Sequence, residues 1–225
     1  MDHTASEPDF HTVRRRPRQE RSRQLFEAIV ASTRALIAKR GLAPITMTDI
    51  AAEAGVSVTA VYRYFPNKQA VVRELALRIF ETDAAIAEAF GAGDRDAPPE
   101  VLIARDMETY CRFHLEDAVR LQIRAAIQAD AELSELDLID SRSHAAIVAD
   151  RLELAGVVEP REVLERRALL LVEMVGSVIR LAHRVEPDEA DDIVAEFVRT
   201  ASCLLLGSDA ATAPTTTVAS TSRDR

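Results

Sequence analysis

Residues 46–68, TMTDIAAEAGVSVTAVYRYFPNK, constrain the fold more than any other stretch, because they read as two short helices joined by a tight turn and then stopped. Thr46 is a helix cap, and Asp49 three residues on completes a capping pair. Ile50 and Ala54 follow at helical spacing, and Gly55 supplies the positive φ that turns the chain. Ser57 caps the second helix, which carries Ala60, Val61 and Tyr64 until Pro66, where a missing N–H and the constraint on Phe65 end it. The unit is a helix-turn-helix. That motif is also a packing device, so on its own it does not establish what the chain binds.

The charge distribution narrows the choice. The chain carries a net charge of −9, yet residues 14–78 hold 13 Lys and Arg against 5 Asp and Glu, so residues 79–225 carry a net −14 once the acidic first 13 residues are counted. A cationic head on an acidic body suits phosphate contact at one end only. Immediately before the head lies RRRPRQERSR, six Arg with one Glu. Arg14, Arg15 and Arg16 lead it, and a flexible basic arm in this place is expected to reach phosphate or the minor groove.

The stretch AAEAGVSVTAVYRYFPNKQAV, with its core Ala-Gly-Val-Ser followed by Tyr-x-Tyr-Phe-x-x-Lys, resembles the N-terminal domain of the TetR family of bacterial transcriptional regulators over about the first third of the chain. The resemblance implies an all-helical homodimer with a variable C-terminal domain that binds a small ligand, acting in most members as a repressor. It also assigns phosphate contacts to Tyr62, Tyr64 and Lys68, and phenol hydroxyls and an ammonium on a rigid frame are suitable donors. Thr46 and the free N–H groups at its helix start form a further phosphate site. Ser57, Val58, Thr59 and Ala60, in the first turn of the recognition helix, are expected to face bases. Val58 stands where family members often carry a polar or basic residue and Thr59 where they carry Gly or Pro, so readout is expected to lean on thymine methyls and on Thr59.

The remainder reads as helix. Aromatic residues are only 4% of the chain and Trp is absent, while Ala, Leu, Val and Arg favour helix. The expected order is a disordered basic arm (1–17), a three-helix DNA-binding head (18–80), a larger helical ligand-binding and dimerisation body (81–207) and a disordered tail (208–225). A first helix spans 18–40, the helix-turn-helix 46–64, and a rod 67–89 joins head to body. Body helices follow at 99–116, 119–129 and 135–155. Helices after Pro160 and over 188–206 are expected to pair with their copies as a four-helix dimer bundle through Leu169, Val172, Gly176, Ile179, Phe197, Ala201 and Leu204. Met107, Tyr110, His114, Ile127, His144 and Met174 are of the types that line an apolar pocket with a few polar anchors.

Other functions find less support. Cys111-x-x-His114 with His144 and His183 would need three helices to converge on a metal, so a helical metal-binding protein is the weaker alternative and no metal or cofactor is expected. There is no Gly-rich phosphate loop, Glu-x-x-His repeat or nucleophile motif, so no enzyme is expected. Cys111 and Cys203 are too few for a disulfide framework. No apolar run approaches the eighteen or so residues of a membrane span, and the start lacks a hydrophobic segment, so a cytoplasmic protein without membrane contact is expected. The reading is a homodimeric regulator on a palindromic double-stranded operator, a repressor released by a small, mainly apolar effector. An activator or architectural DNA binder is the alternative.

Overall fold

The computed structural model describes residues 12–14, 16–90 and 97–207. Among them run nine helices and no strand: α1 Glu20–Arg40, α2 Met47–Glu53, α3 Val58–Tyr62, α4 Lys68–Phe90, α5 Pro99–Leu115, α6 Ala118–Gln128, α7 Ala131–Leu154, α8 Arg161–Ala182 and α9 Pro187–Leu206. The fold is all-α, with a helix-turn-helix head and a helical body. The tail 208–225, Arg15 and most of the expected arm lie outside the described residues.

Local chemistry sets the boundaries. At the start of α2 the Thr46 hydroxyl accepts the Asp49 N–H, and the Asp49 carboxylate accepts the Thr46 N–H at 2.8 Å, a closed capping box. Gly55, at φ +66°, makes the turn into α3. The Ser57 hydroxyl accepts the Ala60 N–H. The Asn67 side chain accepts the Ala70 N–H at 2.8 Å and starts α4. α7 begins four residues before the expected 135, because the Asp130 carboxylate accepts the N–H groups of Glu132 and Leu133. α3 stops at Tyr62, two residues short of the expected 64.

Two apolar cores form. The first gathers Phe26, Ile29, Ile50, Val61, Phe65 and Val71 from α1 to α4, and also takes Val119, Ile123 and Ile127 from α6 and Leu133 from α7. Ile127, expected in a ligand pocket, is therefore buried in the head's core. The second core joins α5, the latter half of α7, α8 and α9 through Ala149, Leu164, Leu171, Ile179, Phe197 and Leu205. Of the residues expected between subunits, Ile179, Phe197 and Ala201 are buried inside this second core, and Leu169 and Leu204 pack against it. Their spacing marks a buried stripe, and the stripe turns towards α5 and α7. The apolar residues that α8 turns outward are Leu170, Met174 and Leu181, with Leu170 55% and Leu181 51% exposed.

α6 is tied to the head by polar contacts as well. Arg34 of α1 pairs with Asp117, the cap of α6, and Gln122 accepts the Leu42 N–H at 2.9 Å. Gly41 beside it has φ +74°, and a Cβ there would come within 3.3 Å of the Gln122 amide oxygen. No helix among the described residues is long and apolar enough to cross a membrane.

Candidate nucleic-acid interface and internal cavity

The exposed edge of the helix-turn-helix is built by the caps and the short α3. Ser57, Thr59, Tyr62 and Arg63 face solvent, whereas Val58 packs against the first core and Ala60 is half-buried. Val58 is thus a packing residue, because a helix of under two turns packed against α2 must spend one side on the core. Tyr64 is only 1% exposed. Its ring meets Phe26 edge-on with centroids 5.7 Å apart, and its hydroxyl takes a hydrogen bond from Arg63. It holds the frame, and its edge borders a recess beside Arg63. Lys68 donates to the carbonyls of Leu42 and Ala43 at 3.3 and 3.1 Å, fastening the loop before α2. The Thr46 hydroxyl is already engaged with Asp49, and that carboxylate is held below its usual range by the Thr46 side-chain and backbone hydrogen bonds.

The described part of the arm lies against the head. The Arg14 N–H donates to the Tyr64 carbonyl at 2.8 Å, its guanidinium reaches the Tyr62 carbonyl, and Arg16 pairs with Glu74 at 3.2 Å. This lays Arg14, Arg18 and Arg63 along one side of the head, where Pro17, Arg18, Gln19, Ser22, Arg63 and Tyr64 line that recess. Arg63 was not singled out by sequence, although it sits between the two tyrosines. Its guanidinium lies 4.8 Å above the Tyr64 ring, so it is held in place while remaining exposed.

Inside the body α4 to α8 enclose a cavity of about 100 Å³. Met107, Tyr110, His114 and His144 line it, together with Leu121, Val148, Val172, Gly176 and Ile179. Met174 does not, because it lies on the outer side of α8. Val172, Gly176 and Ile179, expected to form a dimer seam, face this cavity instead. Glu173 and Arg180 line it too, whereas Ser177 between them receives the Arg180 guanidinium at 2.7 Å.

One wall is polar. Asp83 of α4 is fully buried, with one carboxylate oxygen taken by Arg120 and the other by Arg124 at 2.9 Å. Arg124 also bonds Asp137 at 3.1 Å and lies over the Phe80 ring. His144 sits 3.0 Å from the Asp140 carbonyl and 3.4 Å from its carboxylate through Nδ1. Burial lowers the affinity of His144 for a proton, but the Asp140 carboxylate outweighs it and the pKa is raised. For His114 burial wins, with Arg120 and Arg124 adding to it over the opposing pull of Asp83, and the pKa falls to about 4. Burial likewise raises Asp137, assisted by Glu173 and Asp140 against Arg124. These charges are dispersed over four helices, so nothing in their sequence spacing marked them as a group. Among the described residues no three His, Cys, Asp or Glu side chains are arranged to hold a metal, and burial pushes the Cys111 thiol up to about 12, which leaves it unreactive.

A helix-turn-helix with an exposed basic flank, carried on helices that also wall an internal cavity, defines a class of helical proteins with a DNA-reading head and a chambered body. Residues 29–75 match the model described as bacterial regulatory proteins, tetR family, and residues 97–206 match the tetracyclin repressor-like C-terminal domain. The chain belongs to the TetR family. An uncharacterised helix-turn-helix-type transcriptional regulator of Haemophilus influenzae is 36% identical over 64 residues, 28% of this chain and 34% of that protein, so the match spans about a third of the relative. SmeT, the repressor of the Stenotrophomonas maltophilia multidrug efflux pump SmeDEF, shares the fold with a TM-score of 0.60 at 22% identity, over 80% of this chain and 87% of that one. GusR of Salmonella enterica does so at 0.62 and 18%, over 81% and 95%. A complex of SmeT with triclosan superposes at 0.59 and 23%, over 81% and 90%.

Proposed function

We propose that this protein is a DNA-binding transcriptional regulator, a homodimeric repressor that leaves a palindromic operator when a small, mainly apolar molecule enters the body. The observation that carries this reading is the sharing of α4 and α6 between the two ends. Asp83, Arg120 and Arg124 join these helices at the polar wall of the cavity, and the same α6 is fastened to the head by Arg34–Asp117 and Gln122–Leu42. A molecule that displaces the wall therefore acts on elements that fix the head. Two heads must match one half-site spacing, so a small movement spoils the fit.

In this reading Thr59 and Ser57 face bases, while Tyr62, Arg63 and the arm arginines contact phosphate. Leu170, Met174 and Leu181 form the outward apolar face through which two bodies pair. Solved relatives support a ligand-bearing body: SmeT is known in complex with triclosan and RolR with resorcinol. Selection of duplexes from a random pool tests the DNA half. The expected product is an inverted repeat. A pool that never converges, or a single unrepeated motif, would contradict it.

A further inference from the structure

The polar wall of the cavity carries one carboxylate more than it has guanidinium groups to match, once Arg151 is paired with Asp106. Asp137 and Asp140 from α7, the helix of His144, and Glu173 from α8 line the cavity, and Asp83 from α4 bonds the arginines of the wall. Facing them are the guanidinium groups of Arg120 and Arg124 from α6. Arg120 also lies 3.3 Å from Asp117, which Arg34 of α1 pairs as well. Arg180 of α8 also lines the cavity, its guanidinium turned back onto Ser177, about one turn along the helix from Glu173. Arg151 is engaged with Asp106. Tyr110 and His114 of α5 complete the surroundings, and both are neutral at pH 7: burial raises the phenol and lowers the imidazole.

A second observation points the same way. Two buried side-chain nitrogens here make no hydrogen bond, Nε2 of His114 and Nε2 of His144, on residues 3% and 7% exposed. In His144, a residue on the cavity wall, the Nδ1–H donates to the Asp140 carbonyl, so in the neutral ring Nε2 is a buried acceptor without a partner. A buried acceptor left unmatched is costly and awaits a donor. The unmet needs of this wall are therefore positive charge and N–H groups. The same cavity is lined by Met107, Leu121, Val148, Val172 and Ile179, which offer apolar surface. The space equals on the order of seven to ten waters, the size of a single substituted ring.

We propose that the cavity selects a small lipophilic amine in its ammonium form, its charge against Asp137, Asp140 and Glu173, one N–H on Nε2 of His144, and its ring on the apolar side. This rests on the reading of the cavity as an effector site and names the chemical class of the effector. Without such a ligand, protonation of His144 supplies part of the missing charge. Binding of an ammonium displaces that proton, so affinity for an amine rises as pH rises through the His144 pKa. A carboxylate of the same skeleton has the opposite slope.

The test uses three matched probes, 2-phenylethylamine, 2-phenylethanol and phenylacetate, titrated calorimetrically into the full-length protein without DNA from about pH 6 to 8, across the ordinary histidine range. The expected result is at least tenfold tighter binding of the amine than of the alcohol or acid, with amine affinity increasing with pH. Asp137→Asn should abolish the preference for amine over alcohol. Because Asp137 also pairs with Arg124, Glu173→Gln, a change at an exposed position, provides a second variant expected to weaken the amine several-fold and leave the alcohol unchanged. Equal or tighter binding of alcohol or acid, amine affinity insensitive to Glu173→Gln, or no binding of any probe at millimolar concentration overturns the proposal. DNA is absent throughout, so each of these failures leaves the operator reading standing, while failure of duplex selection leaves the amine result intact.

Discussion

Asp83 has both carboxylate oxygens occupied by guanidinium groups in a place closed to water. Replacing it by Asn leaves two buried cations with a neutral partner, and breaking a buried pair from one side typically costs about 3–5 kcal/mol. Urea denaturation of Asp83→Asn should show a loss in that range, whereas the exposed pair Glu108–Arg112 should change stability by under about 1 kcal/mol when Arg112 is replaced by Ala. A near-neutral Asp83→Asn would mean that the network is not the brace described. His114 carries a pH prediction. Its folded pKa of about 4 lies below the ordinary 6.5, so on acidification the unfolded chain takes up the proton first. This site therefore erodes stability as pH falls from 6.5 towards 4 and leaves it unaffected above 6.5. His114→Gln should make the acid limb shallower by up to about 1.4 kcal/mol per pH unit, read from denaturation midpoints over that window. At the head, Arg63→Ala should weaken binding to all duplexes alike and lower the salt slope by about one, while Thr59→Ala should alter base preference. A change of base preference in the Arg63 variant would reverse these roles. Sequence was informative about residue type here and less so about direction. Val58 and Tyr64 occupy the positions expected of contact residues, but Val58 packs against the first core and the Tyr64 ring meets Phe26 of α1. Nothing in the sequence brings Asp83 together with Arg120 and Arg124, which stand 37 and 41 residues further along the chain.

Elements were more legible than residues. Caps and stops wrote the helix boundaries into short local patterns: Thr46 with Asp49, Ser57, Asn67 and Pro160 all mark starts that the structure shows. Asp130 is the cap that was passed over, and α7 gained its first turn from it. The side of a helix that faces a given neighbour was harder to read, because periodicity identifies a buried stripe without identifying the partner that buries it. Ile127 on α6 and Gly176 on α8 illustrate this. The first went to the head's core and the second to the cavity, where a Cβ added at Gly176 would meet the Arg180 guanidinium at 3.6 Å. Two substitutions on α8 follow. Leu170→Glu with Leu181→Glu places charge on the outward face and should yield monomers by light scattering, whereas Gly176→Leu should fill cavity space and leave the oligomer mass unchanged. The reverse pattern would restore the seam that α8 was expected to present.

At the scale of the whole molecule, the cationic head and acidic body are joined through α4 and α6, which contribute to the head's core and to the cavity wall at once. The central claim is that the two ends are one coupled system. It is tested most directly by titrating the selected inverted-repeat duplex into protein with and without a saturating cavity ligand, 2-phenylethylamine in the first instance, and titrating that ligand with and without duplex. Linkage requires the two factors to be equal, and couplings of this kind are typically about 1–3 kcal/mol, or roughly 5- to 150-fold. The account predicts that the ligand weakens duplex binding by such a factor and that duplex weakens ligand binding equally. Duplex affinity that stays the same while the ligand is bound would contradict it.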